Sequence, residues 1–385
     1  MKFSKVMAVG LSVAMVLGMT ACGSSSSDTP APSDNAAQPA TEGEAAAESS
    51  GKRPVIGITL STQELARCQK DQEYMTEYLN ELGYDVDVQF AKGDAATQVN
   101  EIENMITNGV AGVIISPWDG GALTTAVQQC HDAGIPVIAY DANVLDTEYI
   151  DYFVTDDLVG IGRQQGQFII DALDCDNSEE THTIELFGGD YGDASAKMFW
   201  SGAMEVLDPY IDNGKLEVVS GQREYEICAV AEWSATKSQE RMDTLLSTYY
   251  VDKRIDAVLT QNDDLAAGAI SALKSVGYGT DDQPMPVITG MDCTISALKS
   301  INAGDQSMTI YKDIRQLARH ASDIMDSLVK GEEPDLSDVE LTTYDNGVKE
   351  VTATKVPSLV LTKENMDELV FDSGYYTREE VELEQ

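Results

Sequence analysis

Positive charge is scarce in this chain: 25 lysines and arginines stand against 66 aspartates and glutamates, a formal net charge of −41. That excludes affinity for nucleic acid or anionic lipid headgroups, which need a basic surface. The acids are spread along the sequence, so most describe a solvated surface. Histidine is scarcer still. His131, His182 and His320 are scattered and form no HxxxH pair, so no zinc site is expected. Beyond Cys22 there are five cysteines, Cys68, Cys130, Cys175, Cys228 and Cys293, without CxxC spacing. An odd number leaves at least one thiol free and excludes a complete disulfide framework, while one or two bridges stay open. The sequence has no GxSxG turn and no histidine spaced for a triad. "GIGRQQG" (Gly160–Gly166) has its third glycine one residue late for a dinucleotide loop and sits inside a helix pattern. Its glycines are expected to let a helix approach the sheet closely.

Long apolar runs are lacking too. Val6 to Met19 is too short for a comfortable membrane span. It follows Lys2 and Lys5 and ends in "MTAC", the layout of a secretory signal. With Cys22 in the first mature position it resembles a bacterial lipoprotein signal, although Met19 is an unusual occupant of its place. The resemblance implies a signal peptide over 1–21, a diacylglycerol on the Cys22 thiol and an extracytoplasmic, lipid-anchored protein. Residues 22–52 hold no large apolar side chain and are expected to be a disordered tether.

What is present from Arg53 onward is an alternation. "PVIGITL", "DVDVQFA", "AGVIISP" and "IPVIAYD" read as strands, with helices between them that place Met75, Tyr78, Leu79 and Leu82, or Val99, Ile102, Met105 and Ile106, on one face. Runs that are apolar on both faces predict a parallel sheet covered on both sides. After "YFVTDD" the rhythm restarts with "HTIELFGG", "LEVVSGQ", "DAVLTQND" and "MPVITGMD". Such a length is too great for one simple core and predicts two lobes. The polar groups gather at strand ends: Tyr140–Asp141, Gly188–Asp193, Gln261–Asp263 and Met291–Asp292. Any one such ending could be a helix cap. Four of them, in two lobes, point to a shared cleft beyond the carboxyl ends of the strands.

The blocks "IENMITNGVAGVIIS", "PVIAYD", "IELFGGD", "GAMEVLDPYIDNGKLEVVSGQ", "ERMDTLLSTYYVDKRIDAVL", "LKSVGYGTDDQPMPVITGMD" and "SGYY" occur in that order. In this the chain resembles, over nearly all of Arg53–Tyr376, the type I periplasmic binding proteins of monosaccharide ABC importers. The greatest likeness is to the multiple-sugar-binding receptors for galactose, glucose, arabinose and xylose. The resemblance implies an α/β fold of two similar doubly wound parallel-sheet lobes joined by a multi-strand hinge. It would assign 53–154 and about 311–348 to the N-terminal lobe, 155–310 and about 349–376 to the C-terminal lobe, and 377–385 to an acidic tail. The segment "SMTIYKDIRQLARHASDIMDSLV" would return the chain to the first lobe.

A pyranose offers hydroxyls around its edge and C–H bonds on its faces, so a receptor needs planar polar groups and an aromatic surface. By resemblance, Arg67 and Asp141 come from the first lobe, Asp193 and Lys197 stand for an acid and an arginine, and Trp233 stacks on the sugar. Asn262, Asp292 and the hinge residue Lys312 complete the set. Asn262 is expected to face the cleft while Asp263 or Asp264 caps the helix. Two positions depart from the pattern: Cys68 replaces an aromatic and Ala142 an arginine. Trp118, in "SPWDGG", is the expected replacement for the aromatic, and Asn143 for the lost polar contacts.

The expected mechanism is hinge closure on a monosaccharide by a monomer, whose closed surface docks on an importer permease with its ATPase. No cofactor, metal or covalent chemistry is expected. The same fold serves sugar-responsive repressors, but those carry a DNA-binding segment where this chain carries a signal and a tether. A glycosidase would need a distinct acid and base, which nothing singles out. A sugar sensor using the same closed state, or a binding protein for a different small polar ligand, stays open.

Overall fold

The computed structural model describes residues 52–382. The expected signal peptide, Cys22, nearly all of the tether and residues 383–385 lie outside the described residues. The first lobe runs β1 (Val55–Leu60), α1 (Ala66–Leu82), β2 (Asp85–Phe90), α2 (Ala95–Asn108), β3 (Gly112–Ile115), α3 (Thr124–Asp132), β4 (Val137–Tyr140) and β5 (Tyr152–Val154). Strands β3 and β4 are buried along their whole length, which is why they read as unbroken apolar runs, whereas β2, at the edge, keeps exposed polar positions.

The chain then builds the second lobe from α4 (Leu158–Ala172), β6 (His182–Phe187), α5 (Ala194–Asp212), β7 (Leu216–Glu217), α6 (Tyr225–Cys228), α7 (Ala235–Tyr249), β8 (Ala257–Thr260), α8 (Asp263–Ser275), β9 (Val287–Ile288), α9 (Ile295–Ala303) and β10 (Thr309–Lys312). It returns through α10 (Ile314–Lys330), β11 (Leu341–Asp345), β12 (Glu350–Thr354), β13 (Ser358–Leu361) and α11 (Arg378–Val381). The first sheet has the order β11-β12-β5-β4-β3-β1-β2 and the second the order β7-β6-β8-β9, parallel throughout except for the β11–β12 pair. Strand β10 pairs antiparallel with β13 and touches the second sheet where Ile310 bridges Met291.

The chain crosses between the lobes at 155–157, at Asp313 and at 355–357. The first and third crossings are bonded to each other: Thr155 N donates to Thr354 Oγ1 at 2.9 Å and Val356 N to Thr155 O at 3.2 Å. Helix α10 lies against the first lobe, where Leu317, Ala318, Ala321 and Met325 join the core of β1, β3 and α1.

Two expectations, on β12 and on the glycines of "GIGRQQG", are corrected, and the structure adds detail on the tail and the thiols. Strand β12 belongs to the first sheet, although residues from 349 onward were assigned to the second lobe; the Asn346–Gly347 turn folds it back on β11 and so carries it along. Within the stretch read as an acidic tail, Thr377 and Glu380 form a capping box, and Val381 is buried with Tyr375 and Tyr376 beside α9. The glycines of "GIGRQQG" bring α4 against α5 and not against the sheet. A Cβ on Gly162 would lie 1.9 Å from the Phe199 carbonyl oxygen, and one on Gly202 would lie 2.0 Å from that of Val159. Finally, all five cysteines among the described residues are free and buried, so neither bridge left open forms.

Candidate functional site

The carboxyl ends of the strands from both lobes converge on one cavity, the place where open parallel sheets bind ligands. Ser61 follows β1, Ser116–Trp118 follow β3, Asp141 and Ala142 follow β4, Asp190 and Asp193 follow β6, Asn262 follows β8, Met291 and Asp292 follow β9, and Lys312 ends β10. Arg67 and Cys68 enter from the first turn of α1, Ser195 and Phe199 from α5, and Trp233 from the segment before α7. The lobes meet across it: Ser195 Oγ donates to the Asp141 carbonyl oxygen at 3.3 Å, and Arg67 Nη1 lies 3.5 Å from Asp292 Oδ1.

Backbone strain collects here. Asp141 (φ 65°), Glu232 (64°), Trp233 (52°), Asp292 (96°) and Cys293 (52°) are left-handed without being glycine. Such conformations cost about 1–3 kcal/mol each and persist where the surroundings over-determine them. They occur where the chain leaves β4 and β9, at Asp141 and Asp292, and in the turn before α7, at Trp233, all three of which line the cavity. Gly189 makes room for Trp233, since a Cβ there would lie 2.1 Å from the indole. Gln261 braces that loop by accepting from Gly189 N at 2.6 Å and donating to Ala196 O at 3.0 Å. On the facing side the buried Gln98 fixes Trp118, accepting from its N–H at 2.8 Å and donating to Ser116 O at 2.9 Å.

Charge is concentrated at the floor. Arg67 meets Asp71 at 3.0 Å and Asp141 at 2.7 Å, while Lys312 meets Asp292 at 3.0 Å, Asp156 at 3.6 Å and Asp141 at 4.0 Å. Tyr140 donates its hydroxyl to Asp71 at 2.6 Å. Burial pushes the Asp141 carboxyl up, but Arg67 and Lys312 outweigh it and hold the group below the usual range. Asp71 is pushed up to about 6 by burial in spite of Arg67, and Asp193 to about 7 by burial and then by Asp141. Burial also pushes the Cys68 thiol up to about 12, so it stays protonated and weakly nucleophilic. The Arg67 guanidinium keeps one nitrogen, Nη2, buried without a hydrogen-bond partner among the described residues, a donor available to a ligand oxygen.

Eight of the ten expected cleft residues line this cavity: Arg67, Trp118, Asp141, Asp193, Trp233, Asn262, Asp292 and Lys312. Two do not. Lys197 is exposed on α5, because Ser195 and Phe199, four apart, take the inward face and leave the residue between them outside. Asn143 is buried beneath the turn at Gly120, against which its carbonyl oxygen is packed, and is not part of the lining. The division of labour at β8 also differs from expectation. Asn262 itself caps α8, accepting from Leu265 N at 3.0 Å, and only its amide N–H groups are left for the cavity. Asp263 is instead buried against Thr294 N and Gln306.

Sequence reasoning passed over Asp190, Ser195 and Phe199. Asp190 stands in "GGDYGD" at a strand end, the signal that singled out Asp141 and Asp292, and it accepts from Gly192 N and Glu232 N at 2.7 and 2.6 Å. Ser195 and Phe199 carry no comparable signal until the phase of α5 is known.

Comparisons with known proteins agree with this geometry. The sequence profile of the periplasmic binding protein domain matches residues 31–333. A multiple sugar-binding periplasmic receptor of Rhizobium radiobacter is 40% identical over 326 residues, 85% of this chain and 92% of the relative. The D-xylose-binding periplasmic protein of Escherichia coli is 34% identical, covering 86% of this chain and 93% of its own. A solved ABC transporter solute-binding protein from Clostridium phytofermentans, with bound β-D-glucose, is 38% identical with a TM-score of 0.81, covering 85% of this chain and 99% of that one. These relatives are binding proteins and receptors.

Proposed function

The chain belongs to the periplasmic binding protein family, and on that premise we propose that it captures a monosaccharide between its lobes and delivers it to an ABC importer. The observation that carries the proposal is the pairing of two tryptophans, Trp118 and Trp233, with a ring of fixed polar groups in one cavity. Indole faces suit the C–H faces of an aldose. Asp141, Asp190, Asp193 and Asp292 are acceptors for its hydroxyls, and Arg67, Lys312 and the Asn262 amide are donors. A sugar touching both lobes favours the closed arrangement over the open one, and the crossings at 155–157, Asp313 and 355–357 supply the hinge. The sugar-bound relatives and the xylose-binding protein support an aldose such as glucose, galactose, xylose or arabinose.

The closed surface would dock on the permease, whose ATPase partner drives uptake. Cys22 would carry the lipid that holds the monomer at the outer side of the membrane, so replacing Cys22 by serine should release it into the soluble fraction. No catalysis is proposed for the cavity: its carboxylates are tied to cations or backbone N–H groups.

Titration followed by tryptophan fluorescence tests the proposal, because both indoles lie in the cavity wall. A saturable change with one of the four aldoses is expected. An unchanged spectrum with all four, together with undiminished sugar uptake by cells lacking the protein, would overturn it.

A further inference from the structure

We propose, resting on the sugar-receptor reading above, that the cavity takes an amino sugar, with the ligand's ammonium held against Asp193 and Asp190. The case begins with the balance of charge. Arg67 is shared by Asp71, Asp141 and Asp292, and Lys312 by Asp141, Asp156 and Asp292. Two cations thus serve four carboxylates on the first-lobe and hinge side. Asp190 and Asp193 line the opposite wall, and among the described residues neither is in an ion pair. Lys197, the basic side chain nearest in sequence, is exposed on the outer face of α5.

The remaining bonds of these two acids are to backbone only. Asp190 accepts from Gly192 N and Glu232 N, and Asp193 accepts from Ser195 N at 2.8 Å. Each carboxylate can accept further hydrogen bonds. A sugar hydroxyl supplies one donor and leaves the negative charge as it was. An ammonium supplies three donors and cancels a charge, the stronger pairing in a site sheltered from water. The rise of Asp193 to about 7, from burial and the nearby Asp141, marks the corner as one where a positive group is favoured. The same field opposes a ligand carboxylate, so sugar acids are disfavoured. Trp233 and Phe199 bound this corner on the second-lobe side and leave the pyranose faces an apolar surface.

Calorimetric titration of the purified protein near neutral pH and low salt, with glucose, glucosamine, N-acetylglucosamine and glucuronate and the corresponding galactose series, tests this. The amino sugar of one series should bind at least tenfold more tightly than its parent aldose, and the uronate at least tenfold more weakly. The N-acetyl sugar, which lacks the charge, should lose the gain. Asp193→Asn keeps the helix cap, since asparagine caps as well as aspartate, and should draw the amino-sugar-to-aldose ratio toward one. An aldose that binds as tightly as its amino derivative would overturn the amino-sugar assignment and leave the sugar receptor standing. An N-acetyl sugar that equals the amino sugar, or an Asp193→Asn variant with an unchanged ratio, would overturn it too. Silence across the whole panel would bring down the sugar reading itself, and this inference with it.

Discussion

Lys312 Nζ stands 3.6 Å from Asp156 Oδ2, with the two side chains only 2% and 1% exposed. Asp156 lies in the first crossing between the lobes and Lys312 next to the second, so one ammonium ties hinge to hinge. The same ammonium reaches Asp292 in the cavity. Among the described residues neither carboxylate oxygen of Asp156 receives a hydrogen bond, and Lys312 is its ion-pair partner.

Removing that partner strands a buried charge. Lys312→Met should therefore cost about 3–5 kcal/mol of stability, measured by urea unfolding, and should weaken sugar binding as well. Combining it with Asp156→Asn should recover a large part of the stability. If the double variant is as unstable as the single one, the pair is not what Lys312 is held for.

The indole faces make a second prediction. Trp118→Ala and Trp233→Ala should each weaken the preferred sugar about tenfold or more, a loss of about 1.4 kcal/mol. Trp118 is the sharper case, because it lines the cavity together with Cys68, the position where the resemblance leads one to expect an aromatic. An unchanged dissociation constant for Trp118→Ala would remove it from the site.

Stability should fall as pH rises toward neutrality. Asp193 and Asp263 are pushed up to about 7, and Asp71 and Asp264 to about 6, in each case first by burial. In the unfolded chain such groups release their protons near about 4. Between those values the folded state binds more protons than the unfolded state, so its stability decreases with increasing pH. Asp141 has the opposite sign: held low by Arg67 and Lys312, it adds stability above the ordinary carboxylate range and loses it as pH falls through its own value. The ligand-free melting temperature should therefore peak on the acid side, at about pH 4, and be lower at pH 8. Asp193→Asn should flatten the part of the curve close to neutrality. A melting temperature that climbs steadily from pH 5 to pH 8 would contradict these assignments.

The α4–α5 contact offers a test of packing apart from the cavity. Gly162→Ala drives a methyl into the Phe199 carbonyl, and about 1–3 kcal/mol of destabilisation is expected. Gly214→Ala meets nothing within 4 Å and carries only the strain of a φ of 81°, about 1 kcal/mol. Urea unfolding of the two variants should rank them in that order.

The sheets were legible because a parallel strand buried on both faces, such as Gly112–Ile115 or Ala257–Thr260, has no alternative to a continuous apolar run. The cavity floor was legible because a strand that ends in Asp141, Asn262 or Asp292 has left the core. The wall was less so. Lys197 was misplaced because the spacing from Asp193 fixes a turn of helix but not which side of α5 faces inward. Asn143 was misplaced because the left-handed turn at Asp141 redirects the chain, and no residue type announces a positive φ at an aspartate. Asn262 shows that cap and ligand group can be one side chain, its oxygen serving the helix and its nitrogen the cavity. The course of β12 needed long-range pairing that a local pattern does not contain.

The central claim is that this cavity closes on a monosaccharide. Calorimetric titration of the protein, unfolded and refolded to strip any carried ligand, with glucose, galactose, xylose, arabinose, ribose and fucose tests it most directly. One-to-one binding of at least one aldose, weakened by Trp233→Ala, is the predicted result. A refolded protein with a cooperative melt and no heat of binding for any of the six would contradict it.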